Sequence, residues 1–216
     1  MERWKRTKLG PDFRITDWEA LKDNLHPERY DEKWKVAIDG IHARFNERFV
    51  KPADAIQEKD RDDPDQHYPE GRGFAIVALD CLLLESLYGY GQGKHTGERQ
   101  TGKAFEHLLV NDVPFAGRFP KHLASSFAKA VRHGLLHDGE TRHGWLIWQR
   151  PDDGGDAIVE DLGDGRFALY RDNFHAAVKS HLEEYFQKLR KPGEVQLRSN
   201  FRTRVQQLCD ESKPGP

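Results

Sequence analysis

Only two cysteines stand in the 216 residues, Cys81 inside an apolar stretch and Cys209 near the C-terminus. That number and spacing build neither a disulfide framework nor a metal knuckle, so the expectation is one buried thiol and one exposed thiol. Apolar residues are also scarce, 37% against 32% charged. No apolar run approaches the ~20 residues that a membrane helix needs. The basic start Met-Glu-Arg-Trp-Lys-Arg-Thr-Lys leads into no apolar core of the secretory kind. These absences predict a cytoplasmic chain without membrane contact. A net charge of −2 excludes the overall basic excess of a general nucleic-acid coat.

What charge there is lies unevenly. Residues 51–70 carry three basic against seven acidic side chains, a balance of −4. Residues 117–150 carry six basic against two acidic, a balance of +4, and also hold His122, His133, His137 and His143. A polyanion would be steered to that second segment, although a plain solvated helix face has the same composition.

Periodicity predicts a helical scaffold. Trp34, Ile38, Ile41, Phe45 and Phe49 mark an amphipathic helix over about 31–50, which Lys51-Pro52 should end. The acidic, Pro- and Asp-rich stretch up to Gly73 reads as a surface loop. Phe74 to Leu87 is almost wholly apolar and reads as a central core helix. Its exceptions, Asp80 and Glu85, are costly to bury unpaired, so at least one should point to a basic group such as Arg132 or a histidine, unless they form a thin solvated stripe. Gly89 to Gly97 lacks the Lys-Ser/Thr ending of a phosphate loop and reads as a flexible connection.

Helices are predicted over about 101–109 and 120–137, the second burying Leu123, Phe127, Ala130, Val131 and Leu135. After Asp138-Gly139 the pattern turns extended: Trp145–Trp148, Ala157–Val159 and Arg166–Tyr170 are β-prone runs separated by Gly-rich turns, which predicts a small antiparallel sheet. Trp145 and Trp148 either pack its core or stack on bases. Phe174, Val178, Leu182, Tyr185, Phe186 and Leu189 mark a further helix with Asp172 as its cap, and a last one spans about 194–209 with Arg198, Arg202 and Arg204 on a basic surface or in ion pairs. The final Glu-Ser-Lys-Pro-Gly-Pro should fray.

The chemistry concentrates in Arg132-His133-Gly134-Leu135-Leu136-His137. Cleaving an RNA phosphodiester without a metal needs a group that titrates near neutrality and a fixed cation for the phosphorane charge. Histidine and arginine supply these. On a straight helix Arg132 and His137 would stand about 140° apart at ~3.6 residues per turn. They meet only if Gly134 breaks the helix or if they serve different subunits. His133 and His137, four apart, share a face and would suit zinc, but no third ligand has fitting spacing.

This run resembles the signature of the HEPN superfamily: Arg, a polar residue, three variable residues, His. The resemblance implies a helical bundle that dimerises to join two motifs, acting as a metal-independent endoribonuclease, often a toxin or an antiviral defence component. The predicted sheet departs from the family's plain four-helix bundle. The expectation is therefore one mainly α domain, 1–216, with a helical core over about 17–137 and 172–210 and a β-subdomain over about 142–171. Arg132 would bind the scissile phosphate, His137 act as general base or acid, and His133 orient the substrate, with Lys129, Arg142 and His143 as further RNA contacts. No metal or cofactor is expected. Expected partners are RNA, a second copy of the chain, and an antitoxin or defence protein. The competing readings are a noncatalytic interaction module and a nucleotide sensor that uses the glycine run and Lys94.

Overall fold

A computed structural model describes residues 3–61, 72–95, 98–151 and 154–213. The chain is mainly helical with two small sheets. In order it forms β1 (Lys8–Gly10), β2 (Phe13–Arg14), α1 (Ile15–Leu21), α2 (Glu32–Phe45), a π-turn segment (Asn46–Val50), α3 (Lys51–Arg61), α4 (Arg72–Gln92) and α5 (Glu98–Asn111). There follow α6 (Lys121–Phe127), a second π-turn segment (Ala128–His133), α7 (Gly134–Asp138), β3 (Trp145–Trp148), β4 (Val159–Gly163), β5 (Arg166–Tyr170), α8 (Arg171–Arg190) and α9 (Val195–Glu211). Asp62, Asp63, Asp65 and Glu70 of the acidic stretch, Gly97, Asp152, Asp153 and the Pro-Gly-Pro end lie outside the described residues.

Two compact units emerge, one from the described residues of Met1–Arg48, Ser86–His95 and Leu182–Pro216, the other from those of Phe49–Glu85 and Thr96–His181. In the first unit, Asp31 caps α2 by accepting from the backbone N–H of Lys33 and Trp34 at 3.1 and 3.2 Å. Trp34, Ile38, Ile41 and Phe45 are all buried, as their spacing predicts. The β1–β2 hairpin lies so close on α2 that a Cβ at Gly10 would stand 2.2 Å from the Gly40 carbonyl oxygen. Arg198 is not at the surface: it is 1% exposed and donates to the carbonyls of Pro27, Leu189 and Lys191, satisfying acceptors left over at the end of α8. Cys209, expected at the surface, is buried too, which pushes its thiol up to about 12.

In the second unit, Phe127 lies within 5.4–5.7 Å, ring centre to ring centre, of Phe119, Phe174, Trp145 and Phe105. Trp145 thus packs the core, whereas Trp148 stays 41% exposed. The three strands run in the order β3-β5-β4. The β4–β5 hairpin is antiparallel, but β3 runs parallel to β5, so the sheet is mixed rather than antiparallel. The connection from β3 is long enough to bring the chain back to the same end, and β5 then joins α8 directly.

Three expected boundaries move. Lys51-Pro52 does not end the helix, because the wider π turn over Asn46–Val50 makes room ahead of the proline ring and α3 continues from Lys51. The acidic stretch is therefore helical as far as Arg61. Helix α4 runs on through Gly91 and stops only where Gly93 turns left-handed at φ 66°, so Gly89–Gln92 is helix rather than loop. At 21 residues with mean hydropathy 1.4 over its most apolar window, α4 is long and apolar enough to cross a membrane, contrary to the expectation; 56% of that window is buried within the protein, as in a core helix.

Candidate functional site

Pro120 starts the helix that carries the motif: its φ of −62° and ψ of 123° place it just ahead of α6. The helix does not break at Gly134, whose φ and ψ of −57° and −51° are helical. It widens into π turns over Ala128–His133 and closes again as α7, which ends on Gly139 at φ 72°. Gly134 has another task. A Cβ there would stand 2.3 Å from the Glu140 carbonyl oxygen, so only glycine lets the outgoing chain fold back over the helix, where the Arg142 N–H reaches the Ala130 carbonyl at 2.9 Å.

The motif's cation and its imidazoles have different partners. Arg132 is half-buried and donates through Nε at 3.1 Å and Nη2 at 2.7 Å to Oε2 of Glu85 on α4. The Thr101 hydroxyl donates to the other carboxylate oxygen at 2.7 Å. Glu85 is thus one of the two suspected carboxylates, and its partner is the motif arginine. His133 and His137 are both exposed, and their rings lie 4.2 Å apart. Desolvation against the helix surface, then the neighbouring His137, Arg142 and Arg132, lower the proton affinity of His133. Arg142 pairs with Asp138, one helical turn away. Lys129 is exposed on the π-turn segment, and His143 is exposed in a tight turn at φ 55°. No described group of three or more His, Cys, Asp or Glu side chains is arranged to hold a metal ion.

The other suspected carboxylate leads to a cluster that the sequence reading missed. His175 on α8, 2% exposed, places Nδ1 2.7 Å from Oδ1 of the buried Asp80 and Nε2 3.1 Å from Oδ1 of Asp54 on α3. Lys179, one turn on, donates to the same Asp54 oxygen at 2.7 Å. Burial opposes a charge on His175, but hydrogen bonds and charge from Asp80 and Asp54 outweigh it and raise its proton affinity. Burial raises the Asp80 carboxyl; at Asp54 burial is again the largest single influence and works upward, but hydrogen bonds and charge from Lys179 and His175 together outweigh it and lower the carboxyl from its ordinary value. The cluster borders a cleft of about 460 Å³, also lined by Gln57, Arg150, Asp172 and Asn173. Asp172 does not cap α8; its carboxylate accepts from Arg150 Nε at 2.8 Å inside the first turn. The signal for His175 was available: it stands beside Phe174 on the buried stripe of α8, where a histidine needs a partner.

Gly89–Gln92 presents the C-terminal end of α4, where the helix dipole disfavours phosphate, and the Lys94 N–H is spent on the Gly89 carbonyl at 3.1 Å. The described part of the glycine run therefore forms no phosphate cradle of the kind the nucleotide-sensor reading needs. Comparison with protein families, curated proteins and solved structures finds no match to this chain.

Proposed function

We propose that this chain is a HEPN-like endoribonuclease that cleaves RNA by attack of an internal 2′-hydroxyl, with no metal in the reaction. The observation that carries the reading is that Arg132, on the same helix as the exposed His133–His137 pair, is anchored by two bonds to Glu85 of α4. Anchoring on one carboxylate oxygen leaves the rest of the planar donor fork for phosphate. His133, which holds protons weakly, accepts the 2′-hydroxyl proton; O2′ then bonds to phosphorus as the bond from phosphorus to O5′ breaks. His137 delivers a proton to the leaving 5′-oxygen. The products are a 2′,3′-cyclic phosphate and a 5′-hydroxyl end. Arg132 balances the charge on the phosphorane, and Lys129, Arg142 and His143 hold the flanking phosphates. A second copy of the chain, set against this helix, completes the site in the dimer that the motif implies.

The test is cleavage of end-labelled RNA in excess EDTA. Wild type is expected to yield cyclic-phosphate ends, and His137→Ala to lose about 10²- to 10⁴-fold in rate, the usual worth of a general acid or base. Folded wild type that cleaves nothing, or equal cleavage by both proteins, overturns the reading. The interaction-module alternative draws on the same Arg132–Glu85 pair, since a half-buried ion pair also holds two helices together. Arg132→Lys separates the two, because lysine preserves charge but loses the bidentate fork that phosphate chemistry uses.

A further inference from the structure

In the first unit, the N-terminal hairpin and the end of α2 enclose a cleft of about 260 Å³ lined by Lys8, Gly10, Pro11, Arg44, Glu47 and Arg48. Three cations face one carboxylate there. Lys8 and Arg48 are exposed, while Arg44 is half-buried. The only hydrogen bond that the described residues give Arg44 runs from Nη1 to the Leu9 carbonyl at 3.1 Å, and no described carboxylate pairs with it. A half-buried guanidinium that still reaches solvent is a ready anion site, and four of the five N–H donors of this one have no hydrogen-bond partner among the described residues. Its surroundings sharpen the imbalance. Burial lowers its proton affinity, Tyr90 works the other way, and Arg48 and Arg204 add their repulsion. The nearby Tyr90 hydroxyl is buried without a hydrogen-bond partner, and burial pushes it up to about 12.

The cleft is built rather than incidental. Gly10 forms part of its wall and cannot carry a side chain, because its backbone abuts Gly40. Arg48 sits on the Asn46–Val50 π turn, a local widening that recurs where helices serve a site. The cations are therefore presented from a fixed surface.

We propose that this cleft binds a phosphoryl group, seated on the fork of Arg44 and flanked by Lys8 and Arg48. The volume is below the ~300 Å³ at which pockets begin to enclose a drug-sized ligand. It takes a phosphate and what is directly attached, not a whole nucleotide. That phosphate comes either from the end of a phosphorylated small molecule or from within an RNA backbone. The assignment is independent of the ribonuclease reading: His137→Ala stops cleavage and leaves this binding intact.

Titration calorimetry on the full chain tests it with three probes: inorganic phosphate, a nucleoside 5′-monophosphate and a short oligoribonucleotide with hydroxyl ends. Saturable binding is expected, weakened at least about tenfold by Arg44→Gln, as for loss of a charge-assisted contact. The double variant Lys8→Gln/Arg48→Gln, at two exposed positions, should weaken it similarly and keeps the test decisive if Arg44→Gln does not fold. Tighter binding of the monophosphate assigns a phosphorylated small molecule; tighter binding of the oligoribonucleotide assigns the RNA backbone. Failure of all three probes to bind wild type, or unchanged affinity in the folded double variant, overturns the proposal.

Discussion

His175 and His137 belong to the same compact unit and put their ring nitrogens to opposite uses. Both nitrogens of His175 are engaged, one by Asp80 at 2.7 Å and one by Asp54 at 3.1 Å, and the ring is 2% exposed. His137 lies open to solvent against another imidazole. Two carboxylates around a histidine hold its proton and tie down the helix that carries it, whereas around His133, beside His137, desolvation, the second imidazole and nearby arginines lower the proton affinity. Carboxylate placement therefore distinguishes the buried, fixed His175 from the exposed His133–His137 pair. Glu85 extends the rule, since it anchors the arginine of the exposed site without touching its imidazoles.

The sharpest way to break this contrast is Asp80→Ala. It strands a buried imidazolium beside a half-exposed aspartate, and removing one partner of a buried pair costs about 3–5 kcal/mol. Denaturant unfolding measures it, and a loss below about 1 kcal/mol would make the His175 cluster incidental. Next in size is Glu85→Gln, which keeps the shape of the anchor but not its charge. It should cut RNA cleavage about tenfold, the worth of roughly one charge-assisted hydrogen bond, while the fold survives. Intact cleavage in Glu85→Gln would mean that Arg132 needs no anchor.

Smaller still is the response to pH. His175 is raised in the folded chain, so its contribution is complete below the unfolded histidine value near ~6.5 and fades as pH rises through the folded value. Asp54 is lowered, so its contribution is complete above ~3.9 and fades as pH falls through its folded value. Unfolding midpoints across pH 3 to 9 should therefore peak between these limits in wild type, and Asp54→Asn should flatten the acid side. Asp54 is 40% exposed, so solvent screening holds the effect of that substitution to about 1 kcal/mol or less.

Much of this is legible in the sequence. The stripe Leu123, Phe127, Ala130, Val131, Leu135 is buried as its spacing requires, and so is the stripe of α8. For the carboxylates in the apolar run of α4 the sequence leaves open a basic partner or a thin solvated stripe, and the structure has the first: Glu85 meets Arg132 and Asp80 meets His175. What escaped were facts of long range. No local pattern tells that Asp54, 121 residues before His175, would meet its far nitrogen, or that β3 would pair with β5 in parallel. The helix around Pro52 escaped for a different reason: the proline rule describes an α-helix, and the chain has widened there into another kind of turn.

The Ala128–His133 segment has a consequence for how this gene can vary. A π turn is the scar that one surplus residue leaves in a helix. Deleting a single codon there would let the ladder close as plain α-helix, but everything on one side would swivel by about 100° relative to the other. Phe127 and Arg132 could then no longer both keep their partners. The reading length of this stretch is thus fixed to the residue, so insertions and deletions in it should be tolerated less well than substitutions.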